Sequence, residues 1–196
     1  MNDSKIQELL YQALETEIGG QDIYKTAISC AQNPELKEEW NKYLEETAEH
    51  ERILLETIGE LNLDPSKETP GRKVVRHLGH SLVGAMNQAL SDEPSAAQIV
   101  AAECVVLAET KDHQNWKLIS KAGEEASGKV GKALQKAAEQ VEDQEDEHLY
   151  HSMGWSRELW IESLGLPAVL PPPEEERSVK TAIGAARAAQ AREELL

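Results

Sequence analysis

Glutamate and histidine occur in this sequence at helical positions where a packed core would carry apolar residues. Glu17 falls on the line formed by Leu10, Leu14, Tyr24 and Ile28, which follow the spacing of one helix face. A buried carboxylate costs several kcal/mol unless something compensates its charge. Glu17 is therefore a candidate for chemistry as well as for packing.

The second predicted helix carries an imidazole on its apolar face. His50 follows Thr47 by three residues and precedes Leu54 by four, and Glu46 lies one turn before His50. Residues three or four apart are neighbours on a helix surface. Glu46 and His50 can therefore act at one point.

Two later helices repeat this pattern. Glu109 lies on a predicted core face that also carries His113, and Glu145 shares a face with His148 three residues later. Glu142 precedes Glu145 by three residues and lies near the edge of the same face. Glu145 and His148 can thus direct a carboxylate and an imidazole at one point.

The spacing of the candidates indicates an internal duplication. Glu17 precedes His50 by 33 residues (50 − 17 = 33), and Glu109 precedes Glu142 by the same interval (142 − 109 = 33). This agreement leaves Glu142 and Glu145 as alternatives for the same place in the second half.

A bound metal is the compensation that these residue types predict. Carboxylates with imidazoles suit Fe, Mn or Zn, and carboxylates that can bridge favour a pair of ions. We expect iron, as two ions, with Mn or Zn as alternatives. The candidate ligands are Glu17, Glu46, His50, Glu109, Glu142, Glu145 and His148.

The segments that must position these residues are helical. Good helix formers fill the stretches between prolines, and no alternating β-branched run predicts a strand. The expected helices cover residues 4–31, 34–61, 72–90, 94–121, 127–153, 156–164 and 177–196. Two hairpins joined by a long helical crossover form an all-α four-helix bundle. We place the bundle with its crossover and short helix in residues 1–165, and a Pro-rich linker with a helical tail in 166–196.

The charge balance excludes two classes of partner. The 196 residues include 20 Lys and Arg against 36 Asp and Glu, for a net charge of −16. No basic stripe is present to bind nucleic acid or an anionic membrane. The sequence shows no signal peptide and no membrane span, and Cys30 and Cys104 are predicted to be buried free thiols, so we expect a cytoplasmic protein.

These motifs resemble those of ferritin-like proteins, above all the bacterial stress-associated families and more distantly the rubrerythrins. The resemblance covers residues 4–153. It rests on residues 10–13 with Glu17 and on the motifs at 34–37, 45–50, 109–112 and 142–148. It implies a ferritin-like bundle, ligands at the candidate positions, O2 or peroxide as reactant, and iron oxidation, peroxide removal or another stress-linked oxidation. One departure is Thr47, because a strict Glu-x-x-His in the first hairpin needs Glu there.

Two other functions are compatible with the same residues. A non-catalytic scaffold or oligomeric stress protein would keep the core polar groups hydrogen-bonded to one another, and Thr47 favours this alternative slightly. Ferritin-type iron storage would require a closed shell of many subunits. We expect a homodimer.

Overall fold

The computed structural model describes residues 3–173 and 180–195, and within these ranges all regular structure is helical. The predicted all-α fold class is confirmed. The helices are α1 (Asp3–Cys30), α2 (Pro34–Glu60), α3 (Pro70–Asp92), α4 (Ala97–Glu125), α5 (Gly128–Ser163) and α6 (Lys180–Leu195).

Four of these helices form the bundle. α1 packs on α2 and α4 packs on α5, and the two hairpins meet through α1 with α4 and α2 with α5. α3 is the crossover and lies against α1 and α4. The predicted connection between the hairpins is therefore a helix that covers one side of the bundle.

Local sequence signals start two of the helices. The Asn33 side chain accepts the backbone N–H groups of Glu35 and Leu36 at 2.9 and 3.2 Å, which caps α2. Thr69 caps α3 in the same way, accepting the Arg72 N–H at 3.2 Å. A proline follows each cap at the first helical position, where its missing N–H costs nothing.

The prediction of separate helices over 127–153 and 156–164 was wrong, because α5 runs unbroken from Gly128 to Ser163. Gly154 lies inside this helix although glycine costs about 1 kcal/mol relative to alanine there. Packing holds the helix at this point. Trp155 is buried, and its Nε1–H donates to Glu39 Oε2 on α2 at 2.9 Å.

The buried apolar residues form two clusters that follow one another along the bundle. The first cluster includes Tyr24, Trp40 and Met86, and the second includes Leu14 and Trp116. On α1 the second cluster precedes the first, with Glu17 between Leu14 and Tyr24. A polar layer thus separates two apolar cores.

The segment after α5 folds back on that helix. Arg192 on α6 contacts both Oε atoms of the buried Glu158, and the Val169 N–H donates to Glu158 Oε2 at 3.0 Å. Residues 174–176 of the predicted linker, and residues 177–179 and 196 of the predicted tail helix, lie outside the described residues. Of the helices that are described, none combines the length and hydropathy needed to cross a membrane.

A buried carboxylate on α1 helps to attach the crossover to the bundle. Glu15 on α1 is buried and accepts Arg72 Nε at 2.6 Å and Arg76 Nε at 2.5 Å, both on α3. Burial alone would raise the pKa of Glu15, but the hydrogen bonds from Arg76 and Arg72 outweigh it and hold the pKa below its ordinary 4.5. The charged form of Glu15 therefore stabilises the fold.

We expect Glu15→Gln to lower the free energy of unfolding by about 3 kcal/mol, because it leaves the buried Arg72 guanidinium without its counter-charge. A group with a lowered folded pKa stabilises above its unfolded pKa and loses that effect as pH falls. The difference in free energy of unfolding between Glu15→Gln and wild type should therefore become smaller as the pH falls below about 4.5. Urea denaturation across this range measures it. Glu68→Gln is the control, because exposed Glu68 also binds Arg76 and should change stability by under about 1 kcal/mol.

Candidate metal centre

Six ionisable side chains meet in the polar layer between the two apolar clusters. All four bundle helices contribute, and each side chain is at most 5% exposed. They are Glu17 from α1, His50 from α2, Glu109 and Asp112 from α4, and Glu145 and His148 from α5.

Every one of these side chains has a buried polar atom with no hydrogen-bond partner among the described residues. The atoms are Glu17 Oε2, His50 Nδ1, Glu109 Oε2, Asp112 Oδ1, both Oε atoms of Glu145, and His148 Nδ1. Buried polar atoms in folded proteins are nearly always paired. All seven are donors of electron pairs, so a cation is the ligand that satisfies them together.

Glu145 lies at the junction of two groups of ligand atoms. Atoms from His50, Glu145 and His148 lie within 4.8 Å of one another, and so do atoms from Glu17, Asp112 and Glu145. Glu145 Oε1 is 3.0 Å from His50 Nδ1 and 3.8 Å from His148 Nδ1. The shared carboxylate can serve two adjacent ions at once.

The outer nitrogens of both imidazoles belong to one hydrogen-bond network. His148 Nε2 lies 2.9 Å from Glu46 Oε2, and His50 Nε2 lies 2.8 Å from Gln144 Oε1. Gln144 closes the network by donating its Nε2–H to Glu46 Oε1 at 3.1 Å. Because both Nε2 atoms donate outward to oxygen, both Nδ1 atoms face inward as potential ligands.

Two of the carboxylates are oriented in the same manner. The Trp116 Nε1–H donates to Glu17 Oε1 at 2.7 Å, and the Tyr24 hydroxyl donates to Glu109 Oε1 at 2.9 Å. In each carboxylate, Oε1 accepts this hydrogen bond, and Oε2 has no hydrogen-bond partner among the described residues. Such outer contacts fix ligand orientation before a metal binds.

Burial and mutual repulsion disfavour the charged carboxylates. Burial raises the pKa of Glu17, and the charges on Asp112 and Glu145 raise it further. Burial likewise raises the pKa of Asp112, followed by the charges on Glu145 and Glu109. Burial and the Glu109 charge raise the pKa of Glu145 to about 8. The metal-free cluster therefore retains protons near neutral pH.

The pKa values of the two histidines are shifted in opposite directions. Burial opposes the charge on His148, but the carboxylates of Glu109 and Glu46 outweigh it and raise its pKa to about 10. Burial, together with the charge on His148, lowers the pKa of His50. A proton on His148 thus offsets part of the carboxylate charge in the position that a metal would take.

The structure brings together five of the seven sequence-predicted ligands. Glu46 instead contacts the outer nitrogen of His148, because its carboxylate lies on the far side of that ring. Glu142 points to the surface and pairs with Lys117 at 2.8 Å, so the open choice between Glu142 and Glu145 resolves to Glu145 as the cluster residue. His113, which shares the predicted core face of Glu109, lies outside the cluster, and its Nε2 is 2.8 Å from Asp146 Oδ1.

Asp112 and Gln144 were not among the residues predicted from the sequence. Asp112 follows Glu109 by three residues and so shares its face, a signal that the helical spacing does contain. Gln144 follows no such pattern, because it directly precedes Glu145 in the sequence and contacts His50 from the edge of the helix face.

An apolar cavity of about 310 Å³ adjoins the cluster between α1, α3 and α4. Glu109 and Asp112 line it on the side of the polar layer, and Gly19 lines it on α1. Leu78 and Leu107, which also line it, are 54% and 62% exposed. The cavity thus connects the candidate metal centre to an apolar patch on the surface.

A comparison with protein families matches residues 6–159 to the family model described as ubiquinone biosynthesis protein COQ7. The chain belongs to this family. The matched range contains all six residues of the cluster. Neither the comparison with curated proteins nor that with solved structures gave a match.

Family membership connects the geometry to a metal. The COQ7 family is a family of di-iron hydroxylases within the ferritin-like superfamily. The ferritin-like prediction is confirmed, but the match is to COQ7 and not to the stress-associated or rubrerythrin families. Oxygen and nitrogen ligands with several carboxylates suit iron, so the residues fit the implied metal.

We expect Glu145→Gln to abolish binding of both ions, because Glu145 belongs to both groups of ligand atoms. Metal content after anaerobic Fe(II) loading and desalting measures this. Glu142→Gln is the matched control, since that glutamate lies one turn away on the same helix and faces solvent. Full occupancy in Glu145→Gln would show that the ligands are elsewhere.

Metal binding should also be coupled to proton release. A carboxyl whose folded pKa is raised destabilises the fold once the pH exceeds its unfolded value, here from 4.5 up to about 8 for Glu145. A bound cation removes this penalty and competes with the protons. The gain in melting temperature on adding Mn(II) should therefore increase from about pH 6 to about pH 8. A gain that is independent of pH would contradict this.

Proposed function

We propose that this protein is a di-iron hydroxylase that introduces one oxygen atom of O2 into a ring C–H bond of an apolar, prenylated quinone or phenol. The second oxygen atom leaves as water, with two protons and with two electrons from an external reductant. The family description, ubiquinone biosynthesis, supports a substrate of this class.

The observation that carries the proposal is the contact between the apolar cavity and the polar layer. Glu109 and Asp112 line the cavity and also belong to the cluster of unpartnered buried atoms. A cavity of about 310 Å³ is at the small end of ligand sites and suits a single substituted ring. The exposed Leu78 and Leu107 offer an apolar path for a tail that extends outward.

The polar layer, the hydrogen-bond network around it and the cavity wall would have separate roles in this reaction. A bound pair of iron ions would supply the redox chemistry that activates O2. The cluster residues would hold the ions, and the Glu46–Gln144 network would keep both imidazoles oriented. α3 and the cavity wall would exclude water from the reacting ring, which favours hydroxylation over wasteful reduction of O2.

The direct test is oxygen incorporation. Fe(II)-loaded protein is incubated with a benzoquinone that carries a two-isoprene tail and one free ring C–H, under 18O2, with NADH and a soluble mediator as electron source. We expect one 18O atom per product molecule by mass spectrometry. Metal-loaded protein that oxidises Fe(II) or consumes peroxide rapidly, yet leaves the quinone unchanged, would favour the stress-linked oxidation instead.

Gly19→Leu should block this activity without removing the metal. A Cβ at Gly19 meets nothing within 4 Å, so the new side chain fits the backbone and projects into the cavity that Gly19 lines. We expect the rate of quinone hydroxylation to fall at least about tenfold, about 1.4 kcal/mol in barrier, with unchanged iron content. Gly59→Leu is the matched control, because Gly59 also has nothing within 4 Å and lies on the exposed face of α2.

Two further proposals concern the setting of the protein. We propose that it acts in the cytoplasm and as a homodimer, and sizing by light scattering tests the second statement. A closed shell of many subunits would instead favour iron storage. Purified protein without metal after Fe(II) loading would favour the non-catalytic scaffold.

A further inference from the structure

The polar layer lacks one carboxylate at the position where the ferritin-like arrangement requires it. That arrangement uses a Glu-x-x-His motif on each of two helices, and here α2 has Thr47 three residues before His50. The Thr47 hydroxyl donates to the Tyr43 carbonyl at 2.8 Å, within its own helix. Position 47 therefore contributes no carboxylate.

Asp112 is a carboxylate in the layer that the usual arrangement does not include. It lies on α4, one turn after Glu109, and is 5% exposed. Its Oδ1 has no hydrogen-bond partner among the described residues, although it is buried. Asp112, Glu17 and Glu145 each offer one ligand atom, and these atoms lie within 4.8 Å of one another.

We propose that Asp112 is a metal ligand that replaces the carboxylate absent at position 47. The inference rests on the proposed metal centre and assigns it an unusual composition, in which α4 supplies two carboxylates and α2 supplies only His50. Together with Glu17 and Glu145 the layer then has four carboxylates and two imidazoles, the number that the ferritin-like arrangement requires.

Charge balance supports this assignment. Four carboxylates carry a charge of −4, which two Fe(II) ions neutralise, whereas three would leave a net positive charge in a buried layer. An uncompensated buried charge is costly. Asp112 restores neutrality from a different helix.

The location of Asp112 means that the proposed replacement of the position 47 carboxylate also affects the cavity. Asp112 lines the apolar cavity, whereas Thr47 does not. The replacement thus transfers one carboxylate ligand from the α2 side of the layer to the wall that faces the cavity. With Glu109, which also lines the cavity, Asp112 would place two of the carboxylates that would hold metal at this wall.

The test is the number of Mn(II) ions bound, by equilibrium dialysis, together with the electron paramagnetic resonance signal of an exchange-coupled pair. Wild type should bind about two ions, and Asp112→Asn about one, with loss of the coupled signal. Asp146→Asn is the matched control, since Asp146 is a buried aspartate paired with His113 outside the cluster, and it should keep two ions.

The double variant Thr47→Glu/Asp112→Asn tests the replacement itself. It returns a carboxylate to α2 and should recover the second ion and the coupled signal. The metal-free Asp112→Asn protein should melt at or above the wild-type temperature, because it replaces a carboxyl group whose ionisation is opposed by burial and by the neighbouring carboxylates, and it loses no hydrogen bond to Oδ1.

Several outcomes would overturn the inference. Two ions in Asp112→Asn, no recovery in the double variant, or a metal-free Asp112→Asn protein that melts lower or fails to fold would each do so. Wild type that binds neither Mn(II) nor Fe(II) would overturn the proposed function as well. Wild type with two ions but no hydroxylation would reject the proposed function and leave the assignment of Asp112 in place.

Discussion

Repulsion among buried carboxylates is the constraint on which the rest of this structure depends. Glu17, Glu109, Asp112 and Glu145 lie in one layer with apolar residues on either side of it, where water cannot screen them. The metal-free bundle offsets this repulsion through retained protons, including one on His148, and through single donors such as Tyr24 on the outer oxygens. The two apolar clusters, which pack between the same helices on either side of the layer, keep it in place when no cation is bound. The stability of the apolar clusters thus allows a binding site that would be unfavourable by itself.

The crossover helix gives this layer an asymmetric surrounding. α3 packs on α1 and α4, and the cavity of about 310 Å³ lies on the side of the layer that these three helices enclose. Glu15 holds α3 at that side through a buried ion pair with Arg72 and a partly exposed one with Arg76. The cavity wall and the candidate metal centre are therefore built from different sets of elements that share α1 and α4. This separation lets the cavity wall vary without altering the ligands on α2 and α5.

Much of the fold and part of the site could be predicted from the amino-acid sequence. The apolar periodicity of α1 and α2 identified Glu17 and His50, because a charged group on such a face is conspicuous. The choice between Glu142 and Glu145 could not be made, since residues three apart differ by only about 60° around a helix and the packing of α5 on α4 decides which one is buried. Asp112 was not predicted, because its spacing from Glu109 does not distinguish it from the many solvent-exposed acids among the 36 Asp and Glu residues. The continuity of α5 through Gly154 likewise depends on the packing of Trp155.

The hydrogen-bond network outside the cluster has a consequence for how the centre responds to its environment. Glu46 is the common support of both imidazoles, directly for His148 and through Gln144 for His50. Its side chain is 18% exposed, and Lys42 Nζ approaches it to 3.8 Å at the surface. A change of charge at this one residue would alter the electron donation of both imidazoles in the same direction. Both imidazoles of the candidate centre, although they lie in the interior, are thus linked through hydrogen bonds to one partly exposed carboxylate.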